Sequence, residues 1–348
     1  MKMNERKQKV LLAIIQDYIE TAEPVGSRTI AKKFNLGVSP ATIRNEMADL
    51  EELGYIEQPH TSAGRVPSEQ GYRYYVDYLM KDYYLTDDEE KLIRSEFARK
   101  VQDIGQIIQK TGQLLSQITH YTAMVVTPNM RVSKFKHIQL VAMNPTQAMI
   151  VIVMDNGTLH HRLIDVPENV TFEDLEMISG ILNAKLRGQT NESLRLTILK
   201  EIYLELAKHK QVLDLAMELF EESMAMKSED KIYLGGVFNI LNQPEFHNVE
   251  KVKTLLGILE QEELLYGLMV NDEQSDSVTV RIGREIRNKD IKECSMVTAA
   301  YSLDGQKVGT IGVLGPTRME YAKVISVVDF MTKNLSHTLE RMLKGVGK

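Results

Sequence analysis

Apolar residues recur with a helical period from the first turns of the chain. Val10, Leu11, Ile14, Ile15, Tyr18 and Ile19 predict one amphipathic helix over about 4–21. "EPVGS" interrupts it, because Pro24 lacks a backbone donor and Gly26 permits a turn. Ser27 is placed to cap a short helix over 28–34 with Ile30, Ala31 and Phe34 on its apolar side, and "NLGV" supplies the next turn. Ser39 followed by Pro40 starts a third helix over 40–53: the hydroxyl can cap free N–H groups, and proline fits a first turn where its missing donor is harmless. The second and third helices, joined by a turn of this length, make a helix-turn-helix.

On the third helix, Ile43, Met47 and Leu50 fall in one narrow arc and face a core. Ala41, Arg44, Asn45 and Ala48 fall on the other side, with Thr42 at the border. Two alanines let a helix approach closely, and Arg44 and Asn45 offer the forked donors and acceptors that read guanine and adenine edges in a major groove. Asp49 and Glu52 would repel phosphate, so only the N-terminal half of the helix is expected in a groove. "GYIEQPHTSAGRVPS" follows: Gly54 ends the helix, 55–58 alternates as a short strand, and the small polar tip 61–64 leads back through Arg65. A hairpin after such a helix is a wing, and an exposed Arg65 at its tip would meet phosphate or enter a minor groove.

Tyr72, Tyr75 and Leu79 share a helical face suited to a core or a domain link, and Thr86 is a candidate cap beyond the acidic joint "KDYYLTDDEEK". A long helix is expected over 87–119, its continuity uncertain at Gly105 and Gly112. From Tyr121 the period changes to that of strands: "TAMVVTP", "HIQLVAMN", "QAMIVIVM" and "TLHHRLIDV", the last two joined by an Asp155-Asn156-Gly157 hairpin turn. Helices follow over 171–186, 192–207 and 210–226. Next come "IYLGGVFNILN", a helix over 248–262, the strand "SVTVRIG", and a hairpin of "CSMVTAAYSL" and "KVGTIGVLGP" around Asp304-Gly305. A last helix covers 319–343.

Charge sharpens the picture of the N-terminal region. The chain carries a net −6, unlike most nucleic-acid binders, but residues 1–81 hold eleven basic and eleven acidic side chains, distributed unevenly. Residues 27–45 contain Arg28, Lys32, Lys33 and Arg44 and no acid; residues 58–68 contain His60 and Arg65 and no acid. On charge alone, a solvated face and a phosphate-facing surface are equal readings. The single Cys294 excludes an internal disulfide framework, and the apolar runs are too short for a membrane helix or a signal sequence, which points to a reducing cytoplasm.

Chemistry that would mark an enzyme is missing from the sequence. His160 and His161 are adjacent on a strand and point to opposite faces, and no metal-ligand His spacing, Walker loop, nucleophile elbow or dinucleotide fingerprint occurs. No catalytic residue, metal or cofactor is therefore expected. Cys294 reads as a buried small hydrophobe. "GVLGPTRM" reads as a turn and helix cap, with an anion cradle beside Arg318 as the alternative.

The blocks "EPVGSRTIA", "VSPATIRNEMADLEELGYIEQPHTSAGRVPSEQGYRYYVDYL" and "CSMVTAAYSLDGQKVGTIGVLGPTRMEYAKV" resemble the signature blocks of the HrcA family, bacterial heat-inducible transcription repressors, over essentially the whole chain. No departure is evident at Ala41, Thr42, Arg44 and Asn45. The resemblance implies an α+β multidomain protein: an N-terminal winged helix-turn-helix over 1–85, a GAF-like α/β domain over 86–134 and 228–348, and an inserted α/β dimerisation domain over 135–227. It further implies a homodimer on an inverted-repeat duplex operator ahead of chaperone operons, with activity modulated by the GroE chaperonin. The residues expected to meet DNA are Ser39, Ala41, Thr42, Arg44 and Asn45 in the major groove, with Arg28, Lys33, His60 and Arg65 on the backbone or in the minor groove. Two other readings stay open at this point: a regulator whose GAF-like pocket binds an effector, and a winged helix that contacts protein rather than DNA.

Overall fold

The computed structural model describes residues 3–60, 63–98, 104–128, 134–154, 159–189, 196–225, 232–270, 277–303 and 305–345. The expected Asp155-Asn156-Gly157 turn, Asp304 of the later turn, the first residues of the helix over 192–207, the join at 99–103 and Thr61–Ser62 of the wing lie outside the described residues.

Along the chain run α1 (Glu5–Thr21), α2 (Ser27–Lys33), α3 (Pro40–Glu52), β1 (Ile56–Glu57), β2 (Val66–Pro67) and α4 (Glu69–Tyr74), the last continuing as a π turn over Tyr75–Leu79. Then come α5 (Asp87–Ala98), α6 (Ile104–Thr119), β3 (Thr122–Val126), β4 (Phe135–Asn144), β5 (Gln147–Met154) and β6 (Leu159–Asp165). The helices α7 (Phe172–Leu186), α8 (Leu196–Glu205) and α9 (Lys210–Ala225) follow. The chain closes with β7 (Ile232–Gly235), α10 (Val249–Leu259), α11 (Glu262–Val270), β8 (Thr279–Ile282), β9 (Cys294–Leu303), β10 (Gln306–Pro316) and α12 (Tyr321–Gly345). It divides into two compact units, residues 1–128 with 231–339, and residues 129–230 with 340–348.

In the first unit, α1, α2 and α3 pack around buried Val10, Leu11, Ile14, Ile15, Ile30, Ile43, Met47 and Leu50, the residues that set the helical period. The Asn4 side chain caps α1, and α1 ends where Ala22 turns left-handed, two residues before Pro24. The expected cap of α2 differs: Gly26 occupies the cap position without a side-chain bond, while Ser27 is the first helical residue and is buried. The antiparallel pair β1–β2 forms the wing, with Ile56 opposite Pro67 and Glu57 opposite Val66. Val25 extends it through a bridge to Arg65, giving the winged-helix fold.

Among the described residues the rest of this unit is built on a sheet of order β7-β3-β10-β9-β8, antiparallel throughout. One of its cores gathers Met124, Val126, Ile258, Leu259, Leu265, Met269, Met296 and Leu314. The helix expected over 248–262 is α10, capped at Asn248 and ending at Leu259, where the Gln261 N–H bonds to the Ile258 carbonyl in a tightened last turn; α11, which follows from Glu262, was not expected. Thr86 caps α5 reciprocally with Glu89, as its position suggested. Tyr72 and Tyr75 are buried, and the Tyr72 ring lies 5.9 Å from that of Tyr321.

The second unit is an antiparallel meander of order β4-β5-β6 with α7, α8 and α9 packed on it. Strict alternation along β5 sends Ala148, Ile150, Ile152 and Met154 into the core with Phe135, Leu182 and Phe220. The outer edge of β4 is closed by α7: the Ile138 N–H donates to Asn183 Oδ1 at 2.8 Å, the Asn183 amide returns a bond to the Ile138 carbonyl, and the Leu140 N–H donates to Ser179 Oγ at 3.0 Å. The opposite sheet face is open and mixed, with Val141 42%, Leu159 58% and Leu163 52% exposed beside exposed His137 and His161. Among the described residues no helix is long and apolar enough to cross a membrane.

Candidate nucleic-acid interface

α3 is fixed at its start by Ser39, whose hydroxyl accepts from the Thr42 N–H at 3.1 Å while Pro40 occupies the first turn. Such a cap is worth about 1 kcal/mol. The Thr42 hydroxyl lies 3.0 Å from that of Ser39, so the two oxygens are held together at the helix tip. Ile43 and Leu50 are fully buried and Met47 nearly so. Ala41, Arg44, Asn45 and Ala48 are exposed, as is Ser39, and Thr42 is half-buried. Among the described residues the side chains of Arg44 and Asn45 meet no internal partner, so their hydrogen-bonding capacity points outward unspent.

Glu46, Asp49 and Glu51 of α3 are paired within the fold, while Glu52 is exposed. Glu46 is buried, with Lys7 at 3.0 Å and Arg6 at 3.5 Å, and Lys7 also reaches Asp49 at 2.8 Å. Hydrogen bonds that Lys7 donates to these two carboxylates, Asp49 first, raise its pKa above its ordinary value. Glu51 is paired with Arg65. Sequence reading missed this neutralisation, and Lys7 with it: its signal was only a basic N-terminal turn whose relation to α3 depends on tertiary packing.

The remaining expected residues divide into two groups. Arg28 and His60 are exposed, and among the described residues neither side chain has a partner. Lys32 is exposed in the same way and was not among the expected contacts. Lys33, by contrast, bonds to buried Asp17 at 2.7 Å and to Glu20 at 2.5 Å. Arg65 is not an exposed group at the wing tip. Its backbone pairs in both directions with Val25, and its guanidinium bonds to Glu51 at 2.9 Å and 2.8 Å with only 21% of the side chain exposed. Gly64 permits this close approach, since a Cβ there would stand 2.5 Å from the Val25 carbonyl oxygen. The structure thus joins Ser39, Ala41, Thr42, Arg44 and Asn45 on one outward surface, leaves Arg28 and His60 without a partner among the described residues, and engages Lys33 and Arg65 internally.

No catalytic grouping was expected from His160, His161 or Cys294. His161 is exposed and His160 half-buried on alternate sides of β6, with burial lowering the His160 pKa. Cys294 is buried, and burial pushes its thiol up to about 12, which keeps it protonated and inert at neutral pH.

Residues 2–76 match the family model described as winged helix-turn-helix transcription repressor, HrcA DNA-binding, and residues 105–325 match that of the HrcA protein C-terminal domain. A heat-inducible transcription repressor HrcA of Pelotomaculum thermopropionicum is 70% identical over 348 residues, covering 100% of both chains. Its namesake in Desulforamulus reducens is 58% identical over 99% of both chains. Among solved structures, one described as a hypothetical protein at 2.2 Å resolution is similar over 97% of this chain and 99% of its own, with 25% identity and a TM-score of 0.67.

Proposed function

This chain belongs to the HrcA family, and from that premise we propose that it is a heat-inducible transcription repressor that reads an inverted-repeat operator as a homodimer. The observation that carries the reading is the outward face of α3: a proline-started helix with two alanines, Arg44 and Asn45 without a partner among the described residues, and Glu46, Asp49 and Glu51 paired with Lys7 and Arg65. Arg44 would take a guanine edge and Asn45 an adenine edge, Ala41 and Ala48 allow the approach, and Ser39 and Thr42 present hydroxyls at the tip. Arg28 and His60 are free for the sugar-phosphate backbone. Lys33 and Arg65 would have to exchange a carboxylate for phosphate, so their larger contribution in this reading is to hold α2 and the wing in place.

The domain organisation of the proposal is the winged helix over 1–85, a GAF-like domain over 86–134 and 228–348, and an inserted dimerisation domain over 135–227. The open apolar face of β4-β5-β6 supports the last of these. Across it Val141, Met149 and Leu163 lie side by side in register, with Leu159 on the same face past His161. A self-complementary patch of this kind suits a two-fold dimer, and a two-fold dimer suits a palindromic site. Modulation by the GroE chaperonin would follow from marginal stability: one or two kcal/mol changes the active fraction several-fold, so diversion of chaperonin to heat-damaged clients would relieve repression. The activity proposed is binding rather than catalysis, in the cytoplasm, without a cofactor.

Footprinting of the purified protein on a chaperone-operon promoter, with and without chaperonin, tests this reading. Protection of two symmetry-related half-sites, weakening steeply with salt, is expected. Binding of that promoter no tighter than a random duplex of equal length would refute it.

A further inference from the structure

Arg318, the residue of "GVLGPTRM" for which an anion cradle was the alternative reading, spends its donors inside the protein. Its Nε bonds to Glu245 Oε1 at 2.6 Å, and its Nη2 lies 3.3 Å from both Glu245 Oε2 and Gln243 Oε1. Its Nη1 donates to the Ile19 carbonyl at 2.6 Å. That carbonyl belongs to the last turn of α1, a helix whose final turn carries no basic residue of its own. Arg318 therefore supplies, from the far end of the chain, the cation that the negative end of α1 lacks.

A second guanidinium makes a similar attachment from the other side of the sequence. Arg73 of α4 bonds through two nitrogens to Glu285, donates to the Val280 carbonyl at 2.7 Å and reaches Asp77 at 3.2 Å. Tyr72, next to it, packs on Tyr321. Each arginine thus spans from the winged helix, matched by the DNA-binding model, to residues matched by the C-terminal model. One such attachment leaves a rotation free; two on different helices of the same small domain remove it. The planar guanidinium fork lets each arginine serve a carboxylate and a backbone carbonyl at once.

We infer that Arg318 and Arg73 are positioning residues that fix the orientation in which α3 is presented, and so set the half-site spacing that the dimer accepts. This rests on the dimeric operator reading above. Two half-sites are engaged together only when both recognition helices stand at the correct separation, and the avidity is lost when geometry forbids that.

The test uses full-length protein and three duplexes built from the footprinted site: both half-sites at native spacing, both with the spacer changed by two base pairs, and one half-site alone. Arg318→Gln and Glu245→Gln are compared with wild type by fluorescence anisotropy, each checked by thermal melting. Wild type should prefer native over altered spacing. In the variants, binding at native spacing should fall about tenfold or more while single half-site binding changes by less than about twofold, so that spacing preference collapses. Unchanged spacing preference in both variants would overturn the inference, as would equal loss on all three duplexes in a variant that melts earlier. If wild type itself binds the two-site duplex no better than the single half-site, the dimeric operator reading fails, and this inference falls with it.

Discussion

The Lys33 ammonium sits 2.7 Å from Oδ1 of the buried Asp17, so the last turn of α2 is fastened to α1 instead of being held toward solvent. Hydrogen bonds that Lys33 donates to Asp17, then Glu20, raise its pKa above its ordinary value. A raised folded-state pKa stabilises fully below the unfolded value, about 10.4, and the contribution is lost as pH rises through the folded value. Lys33→Met should therefore melt below wild type by a margin that stays constant from about pH 6 to about pH 9 and shrinks only in stronger alkali. A margin that changes near neutrality, read from melts across that range, would show that another group is titrating.

Arg44→Ala should cost about 1–3 kcal/mol on the operator and relax preference at one base pair in each half-site, because it removes a base-reading fork. Arg65→Ala should act differently. Its pair with Glu51 is partly buried, so stability should fall by up to about 1 kcal/mol while base preference is retained. Competition binding against a panel of single-base operator variants separates the two. Equal loss for Arg44→Ala on operator and random duplexes would remove it from the base-reading role.

Leu163→Asp places a carboxylate in the middle of the open face of β4-β5-β6, opposite Met149. Sedimentation should show monomer at concentrations where wild type is dimeric, with helix content unchanged by circular dichroism. A variant that stays dimeric would shift the proposed interface elsewhere.

Tyr72→Phe tests a different kind of burial. Its hydroxyl is shielded from solvent and, among the described residues, has no hydrogen-bond partner. Removing an unsatisfied polar atom should be neutral or stabilise by about 1 kcal/mol, whereas loss of a hidden bond would destabilise by a similar amount. Urea denaturation decides the sign.

The period of Ile43, Met47 and Leu50 made α3 and its outer face legible, because helical spacing alone decides which side chains are buried. Ser39 and Pro40 marked its start for equally local reasons. What the sequence did not disclose depends on packing between elements. Nothing near Lys33 or Arg65 in sequence signals Asp17 or Glu51 as partners, so from sequence each reads as a cation available to DNA. Glu46 is buried on a helix whose apolar arc does not include it, held there by Lys7 from α1. Ser27 has the chemistry of a cap, but the turn after Val25 puts Gly26 in that position. Strands were recognisable one by one, whereas the order β7-β3-β10-β9-β8 brings together segments separated by more than a hundred residues.

That order also fixes how the chain departs from and returns to the first unit. Val126, at the end of β3, stands in register opposite Ile232, at the start of β7. The intervening stretch therefore connects two neighbouring antiparallel strands of one sheet. Replacing it with a tight connection between those two strands would leave every ladder of the five-stranded sheet intact. Residues between them are thus an insertion in the topology of the sheet, and their number can vary without rewriting the ladders that carry it.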